Sequence, residues 1–339
     1  MQTPSAETLW AMSEKPLLSF LNTNAVNSKR RHVTFYIPGF SVQGHHGKPD
    51  AFPTLSITGK RCALRCKHCE AKVLKTMLPA ETPTQLYNLC EKLKQKGASG
   101  CLISGGCQAD GKVPIDKFIP IIKRVTKQLN LKILVHTGLV DFTTAEKLKD
   151  AGVKTALIDI VGADETIHEI CGLECTTRDY EEALDALQTA GLTFVPHIIV
   201  GLHNGKLKGE LQALNMVAKF KPSALVVIAF MPIPGTSMAQ TEPPKPIEIA
   251  RVISIARCLF NGLPIALGCM RPKGKHRSET DVLALKAGVD AVAFPAREAV
   301  KYAEGCGYQV DYEVACCSQV YEKLAKWINS KQFEHSQRR

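Results

Sequence analysis

Aromatic residues are scarce in this chain of 339, at 6%. No stripe of interleaved basic and aromatic residues occurs, so a nucleic-acid partner is not expected. No run of eighteen apolar residues occurs either, and no membrane span is expected. The opening Met1-Gln-Thr-Pro-Ser-Ala-Glu7 lacks the basic and apolar stretches of a secretory signal, which points to a cytoplasmic location. Acidic residues are in deficit, 32 against 43 Lys and Arg, giving a formal net charge of +11. That balance suits an acidic partner, or simply a solvated basic surface. Cysteine is missing from residues 1–50, yet thirteen are present in the chain. An odd number without a secretion signal favours a reducing compartment and metal ligation over disulfides.

Three of those cysteines fall within eight residues, Cys62, Cys66 and Cys69, spaced C-x3-C-x2-C. Three thiolates on one short loop can hold three corners of a cubic iron–sulfur cluster and leave the fourth iron open to another ligand. A structural zinc site would need a fourth ligand nearby. His68 is at hand, but its place between two cysteines makes a fourth corner hard to reach. Cys90, Cys101, Cys258 and Cys306 lie within helical or strand patterns and read as buried small hydrophobes. Two adjacent histidines, His45 and His46, in a Gly-bounded loop form a further weak metal candidate.

From residue 55 apolar runs alternate with helical patterns. Strands are expected at 55–58, 100–103, 132–136, 155–161, 194–200, 225–230, 264–267 and 291–294. They are rich in Val and Ile and largely unalternating, as strands covered on both faces are. Helices are expected at 84–96, 115–129, 144–151, 179–190, 208–219, 247–259, 279–287 and 297–305. Gly97, Gly152, Gly191 and Gly288 stand where left-handed caps are wanted. Eight such units predict an α/β fold, a (β/α)8 TIM-type barrel, with a doubly wound open sheet as the alternative. The barrel is expected over 51–311. An N-terminal extension should occupy 1–50, with a helix at 6–21 and a short extended segment at 33–38. A C-terminal segment should fill 312–339, with a helix at 312–331 lying outside or across the barrel.

In such a barrel, chemistry gathers at the C-terminal ends of the strands. The cysteine trio follows the first strand, Ser104-Gly105-Gly106-Cys107 the second, and His136 ends the third. Asp159 ends the fourth, Gly201 the fifth, Pro232-Ile-Pro-Gly-Thr236 the sixth, and Gly268-Cys269-Met-Arg271 the seventh.

The cysteine spacing, the strand before it and the Gly-Gly turn after it resemble the radical S-adenosylmethionine (SAM) enzymes. The Phe230-Met-Pro-Ile-Pro-Gly-Thr236 stretch and the pattern from Leu267 to Val289 resemble the biotin synthase branch. Within it, the nearest pattern is that of the split, two-protein lipoyl synthases. The resemblance covers residues 33–318. It implies a SAM-binding 4Fe-4S cluster on Cys62, Cys66 and Cys69, through which one electron splits SAM to a 5′-deoxyadenosyl radical. It further implies SAM contacts from Ser104, Gly105 and Gly106, with His68 near the adenine, Asp159 on the ribose, and His136 and Gly201 nearby. Cys107 departs from the acidic residue usual after the Gly-Gly pair. Sulfur insertion into an unactivated C–H bond of a protein-bound octanoyl chain would need an auxiliary iron–sulfur cluster. Its candidate ligands are Cys107, Cys269, Cys317, Cys316, Cys171 and Cys175, at most four of them and only one of the adjacent pair. Ser318 or Arg271 is a possible weak fourth ligand. The implied partners are a second radical SAM subunit, an acidic lipoyl-carrier protein or peptide, and a reductant such as ferredoxin or flavodoxin. The alternatives are a one-cluster mutase or maturase of the same branch, and a non-catalytic iron–sulfur subunit.

Overall fold

The computed structural model describes residues 4–27, 32–37, 41–42, 45–46 and 51–324. Eleven strands, all parallel to their neighbours, form its main sheet. They are β1 (His32–Tyr36), β2 (Thr54–Ser56), β3 (Leu78–Pro79), β4 (Gly100–Ser104), β5 (Lys132–His136), β6 (Thr155–Ile160), β7 (Phe194–Val200), β8 (Leu225–Ala229), β9 (Ile265–Leu267), β10 (Ala291–Ala293) and β11 (Gln309–Glu313). Their order is β11-β1-β10-β9-β8-β7-β6-β5-β4-β2-β3. All eight expected strands are present and sequential, and helices cover the curled sheet's outer face. The fold is thus the expected α/β one, in the form of a TIM-type partial barrel.

The sheet does not close on itself among the described residues. In a closed eight-stranded barrel β2 would pair with β10. Here β10 pairs instead with β1, in the register Thr34↔Ala291, and β11 lies outside β1. The expected extended segment at 33–38 is therefore a full sheet member, its five residues all buried.

Local chemistry sets the helices. Thr82 accepts from the Gln85 amide and Gln85 reaches back to the Thr82 amide, a capping box that starts the helix Pro83–Gln95. Ile119, Ile122 and Val125 share one face of Ile119–Leu129 and are buried against the sheet. Gly97, Gly152, Gly191 and Gly288 all have positive φ, between 65° and 92°, where a side chain would be strained.

The first two helices, Ala6–Ala11 and Glu14–Asn27, pack on the body through Leu9, Leu17 and Leu21. Arg251 holds the junction between them, donating to the carbonyls of Leu9, Trp10 and Met12 at 2.6, 3.1 and 2.5 Å. His45–His46 pairs antiparallel with Ser41–Val42; the side chains of that candidate site lie outside the described residues.

The C-terminal segment crosses the barrel. Glu313 ends β11 at the C-terminal rim. Nine residues later Glu322 pairs with Lys132 (2.7 Å) and Lys154 (3.5 Å), at the N-terminal ends of β5 and β6. Tyr321 hydrogen bonds Thr155 at 2.8 Å. Between them Cys317, Ser318, Gln319 and Val320 are buried against the inner faces of the strands. The expected polar tail, 332–339, lies outside the described residues.

Candidate active site

The cysteine loop is tightly wound. The Cys69 and Glu70 amides both donate to the Cys66 carbonyl, at 3.0 and 2.8 Å, and the Lys72 amide donates to that of Cys69 at 2.7 Å. Arg65, Glu70 and Ala71 adopt left-handed φ of 48°, 43° and 60°, a strain that persists only where surroundings enforce it. Here the enforcement comes from three sides. Lys67 donates to Ile170 (2.9 Å) and Ala63 to Cys107 (2.8 Å) through their amides. Glu70 accepts from the amide and hydroxyl of Ser237 at 2.6 Å each, and Lys72 bonds the Gly235 carbonyl.

Gly106 lets the β4 loop lie directly under the first cysteine. A Cβ there would sit 2.1 Å from the Arg61 carbonyl and 2.5 Å from the Cys62 Cβ. The Gly106 amide donates to Thr58 Oγ1 at 2.7 Å. Gly105 is less confined, 3.1 Å from the Thr58 side chain.

Two connected cavities open from this loop. The first, about 270 Å³, is bounded by Cys62, Cys66, Cys69, the Ser104–Cys107 turn and Cys171. The second, about 550 Å³, is the barrel interior and reaches Cys269, Cys316, Cys317 and Ser318. His68, Cys69, His136 and Asp159 line both. The expected SAM residues and cysteine trio therefore converge, with one exception. Gly201 is turned away, its amide on Glu210 (2.8 Å) and its Cα packed against Pro244, while its neighbours Ile199 and Leu202 face the cavities.

The auxiliary candidates divide. Cys107 and Cys171 sit beside the trio, and half-buried Cys316 and buried Cys317 line the barrel interior together with Cys269, whose side chain is exposed. Cys175 lines neither cavity; its carbonyl bonds His168. Arg271 is fully buried, and its guanidinium is spent on Asp281 (2.7 and 2.8 Å) and the carbonyls of Gly268 and Phe294. It braces the loop rather than facing the cavity, so its reading as a weak ligand is corrected. Cys306, expected to be buried, is exposed, because the helix Arg297–Gly305 ends just before it. Cys90 and Cys101 are buried as expected, and Cys258 partly so.

Electrostatics mark the same place. Burial pushes the Cys107 thiol up to about 12, with the neighbouring Cys62 adding to it. Hydrogen bonding to Cys66, then burial, pushes Cys69 up to about 12. Such thiols stay protonated until a cation arrives, when ligation drives the proton off. His136 Nε2 lies 3.4 Å from Asp159 Oδ1. Burial works against the His136 charge, yet the carboxylate outweighs it and the imidazole is raised. Against burial, the same pairing holds Asp159 down to about 2. His197, its ring centroid 5.9 Å from that of His136, is lowered to about 4 by burial. His197 was not among the residues picked out by sequence. Residues 197 and 199 are the half-buried alternate positions of β7, so the two-residue period within the apolar run was the available signal.

Among the described residues no group of three or more His, Cys, Asp or Glu side chains already surrounds one ion point. The donor set nevertheless fits an iron–sulfur group. Three half-buried thiols share one loop at a cavity wall, and His68 Nδ1 is buried without a partner beside them.

Comparison with known proteins agrees. Residues 56–208 match the radical SAM superfamily. Biotin synthase from Buchnera aphidicola subsp. Acyrthosiphon pisum (strain APS) is 27% identical over 258 residues, covering 71% of this chain and 70% of the relative. That of Nitrosopumilus maritimus is 26% identical over 224 residues, covering 63% and 66%. Among solved structures, methylornithine synthase (PylB) superposes with a TM-score of 0.58 at 18% identity over 86% of this chain and 82% of that one. The FeFe-hydrogenase maturase HydG from Carboxydothermus hydrogenoformans gives 0.60 at 14% identity over 85% and 65%. These two establish the fold alone. With the cysteine trio, its glycine cradle and the curled parallel sheet in place, residues 56–208 carry the match to the radical SAM superfamily, and the chain is similar to biotin synthases.

Proposed function

We propose that this protein inserts sulfur into an unactivated C–H bond of a protein-bound octanoyl chain, as one subunit of a two-protein lipoyl synthase. The lining of the barrel interior carries the reading. Met77, Leu102, Leu157, Val226, Ile228 and Phe230 supply an apolar wall, and no Lys or Arg contributes to it. Asp159 is the one acid there and is already paired with His136. A free fatty acid would enter without a counter-ion, at a desolvation cost of several kcal/mol. A chain whose carboxyl is blocked as an amide to a carrier lysine enters without that cost. Similarity to biotin synthases supports sulfur insertion as the chemistry.

Cys62, Cys66 and Cys69 would hold the SAM-binding 4Fe-4S cluster, which, when bound with SAM, supplies one-electron hydrogen abstraction. Ser104, Gly105 and Gly106 would hold SAM through their backbone, with His68, His136 and Asp159 lining the same cavity. Cys269 with Cys316 or Cys317, and Ser318 beside them, would hold the auxiliary, sulfur-supplying cluster. Hydrogen bonds with Cys317 and then Ser318 lower the Cys316 thiol against its burial. The apolar walls exclude water from the reacting carbon.

The test is anaerobic reconstitution with iron and sulfide. The protein is then assayed for 5′-deoxyadenosine and sulfur transfer on an octanoyl-lysyl carrier peptide, with the second subunit present. About eight irons per chain and thiolated peptide are expected. SAM cleavage that never yields a carbon–sulfur bond would reject the sulfur-inserting function. About four irons, unchanged by Cys269→Ala or Cys317→Ala, would favour a one-cluster mutase or maturase.

A further inference from the structure

The barrel interior holds an imidazole that neither the cysteines nor the expected SAM residues engage. His197 lies in the middle of β7, in register with Asp159 on β6 and Val226 on β8. It lines the larger cavity, about 550 Å³, and not the smaller one that the cysteine trio bounds. Around it the wall is apolar, formed by Leu157, Ile199, Val226 and Ile228.

The ring is fixed by its own strand. Nδ1 lies 3.1 Å from the Val195 carbonyl oxygen. A carbonyl only accepts, so Nδ1 carries the hydrogen. Burial lowers the imidazole to about 4 and keeps it neutral. Nε2 is then left with a lone pair. Among the described residues it makes no hydrogen bond. Two other polar groups of the cavity are already taken. Asp159 faces His136 at 3.4 Å, and Ser318 Oγ lies 2.8 Å from Cys316 Sγ. His197 thus presents an unused acceptor to an otherwise apolar wall.

An amide-linked acyl chain needs such an acceptor. When it enters an apolar cavity its N–H leaves water, and the hydrogen bond is lost unless the wall replaces it. An ester or thioester has no such hydrogen at the linkage. A site built to bond a substrate N–H discriminates well against an analogue that lacks it.

We infer that His197 is a specificity-determining residue, its Nε2 accepting the N–H of the acyl-lysyl amide and so selecting acyl amides over acyl esters and thioesters. The inference rests on the octanoyl-amide substrate proposed above and adds the side chain that reads its linkage. No bond is made or broken at His197.

Binding is measured on reconstituted, unreduced protein with SAM present, so that no turnover occurs. The ligands are the octanoyl-lysyl carrier peptide and its ester counterpart, with oxygen in place of the lysine side-chain N–H. Wild type should bind the ester about tenfold more weakly, equivalent to about 1.4 kcal/mol. His197→Phe keeps a ring but no acceptor, and should bind the two ligands alike. His197→Gln returns an acceptor at about the reach of Nε2, and should restore the preference for the amide. Equal wild-type affinity for amide and ester would overturn the assignment without recourse to any variant. A preference for the amide that survives in His197→Phe would overturn it too, whether or not both affinities fall together. If that variant instead weakens SAM binding and leaves the preference intact, the imidazole belongs to SAM. Failure of wild type to bind either ligand would reject the octanoyl-carrier substrate and the inference with it. Absent sulfur transfer beside an intact, His197-dependent amide preference would count against the sulfur-inserting function alone.

Discussion

Gly106 and Glu210 carry the clearest consequences at the scale of single residues. Gly106→Ala places a methyl against the Arg61 carbonyl and the Cys62 backbone, atoms that cannot rotate away. Overpacking of this kind costs about 1–3 kcal/mol, and here the strain falls on the loop that presents the thiols. The variant should fold, with a nearly unchanged circular dichroism spectrum, but retain much less iron than Gly105→Ala, whose new methyl meets only side chains at 3.1–3.2 Å. Equal iron in the two would contradict the cradle. Glu210 is buried at the start of its helix, with Oε1 accepting from Gly201 and Oε2 unpartnered. Burial raises its carboxyl from 4.5 to about 7. Between those values the unfolded chain has lost a proton that the folded chain keeps, so stability falls as pH rises through that window and is level above it. Glu210→Gln removes this penalty. The variant should be more stable than wild type by on the order of 2–3 kcal/mol at pH 8, with the gain shrinking toward zero below pH 5. Urea unfolding of the cluster-free chain across that range checks it; a gain that does not vary with pH would be fatal.

Elements divide into those the sequence announces and those it hides. The eight central strands announce themselves because both their faces are covered, leaving unbroken Val/Ile runs, and because glycines mark the helix ends. β1 and β11 do not. His32, Thr34, Asp311 and Glu313 interrupt the apolar pattern, and what makes these segments strands is pairing between residues more than two hundred positions apart. Arg271 shows the same limit for the site. Its place beside Cys269 suggested a ligand, whereas the fold offers it Asp281, ten residues on, in a pair with no exposure at all. That pair ties three elements together, since Asp281 Oδ2 also accepts from the Ala296 amide at 2.8 Å. Asp281→Asn leaves a buried guanidinium without its counter-charge and should cost about 3–5 kcal/mol. A fall of roughly 4–7 °C in the melting temperature is expected, with the loop carrying Cys269 loosened as well. A fall under one degree would mean that the pair contributes little to joining the β9 loop, its helix and the β10 loop.

For the whole molecule, the decisive feature is that the chain's own C-terminal segment runs through the open sheet and lines the cavity within it. From Glu313 at one rim to Glu322 at the other, this segment supplies Cys316, Cys317 and Ser318 to the interior and ties down the N-terminal ends of β5 and β6. The cysteine trio, by contrast, is braced by Ile170, Cys107, Gly235 and Ser237, none of which belongs to that segment. The two ends of the cavity should therefore be separable. A chain ending at Glu313 should keep the trio's cluster and its absorbance while losing the deeper one, so that reconstituted iron falls from about eight to about four per chain. Apolar strand faces now covered by Cys317 and Val320 would become accessible, and binding of a fluorescent apolar dye should rise. Retention of all eight irons would show that the deeper cysteines hold no metal with the segment's help, and would move the auxiliary cluster toward Cys107 and Cys171. Loss of every iron would show instead that the interior segment supports the cysteine loop at long range. The contacts above argue against that outcome, because among the described residues no hydrogen bond or ion pair joins the segment to the loop's frame.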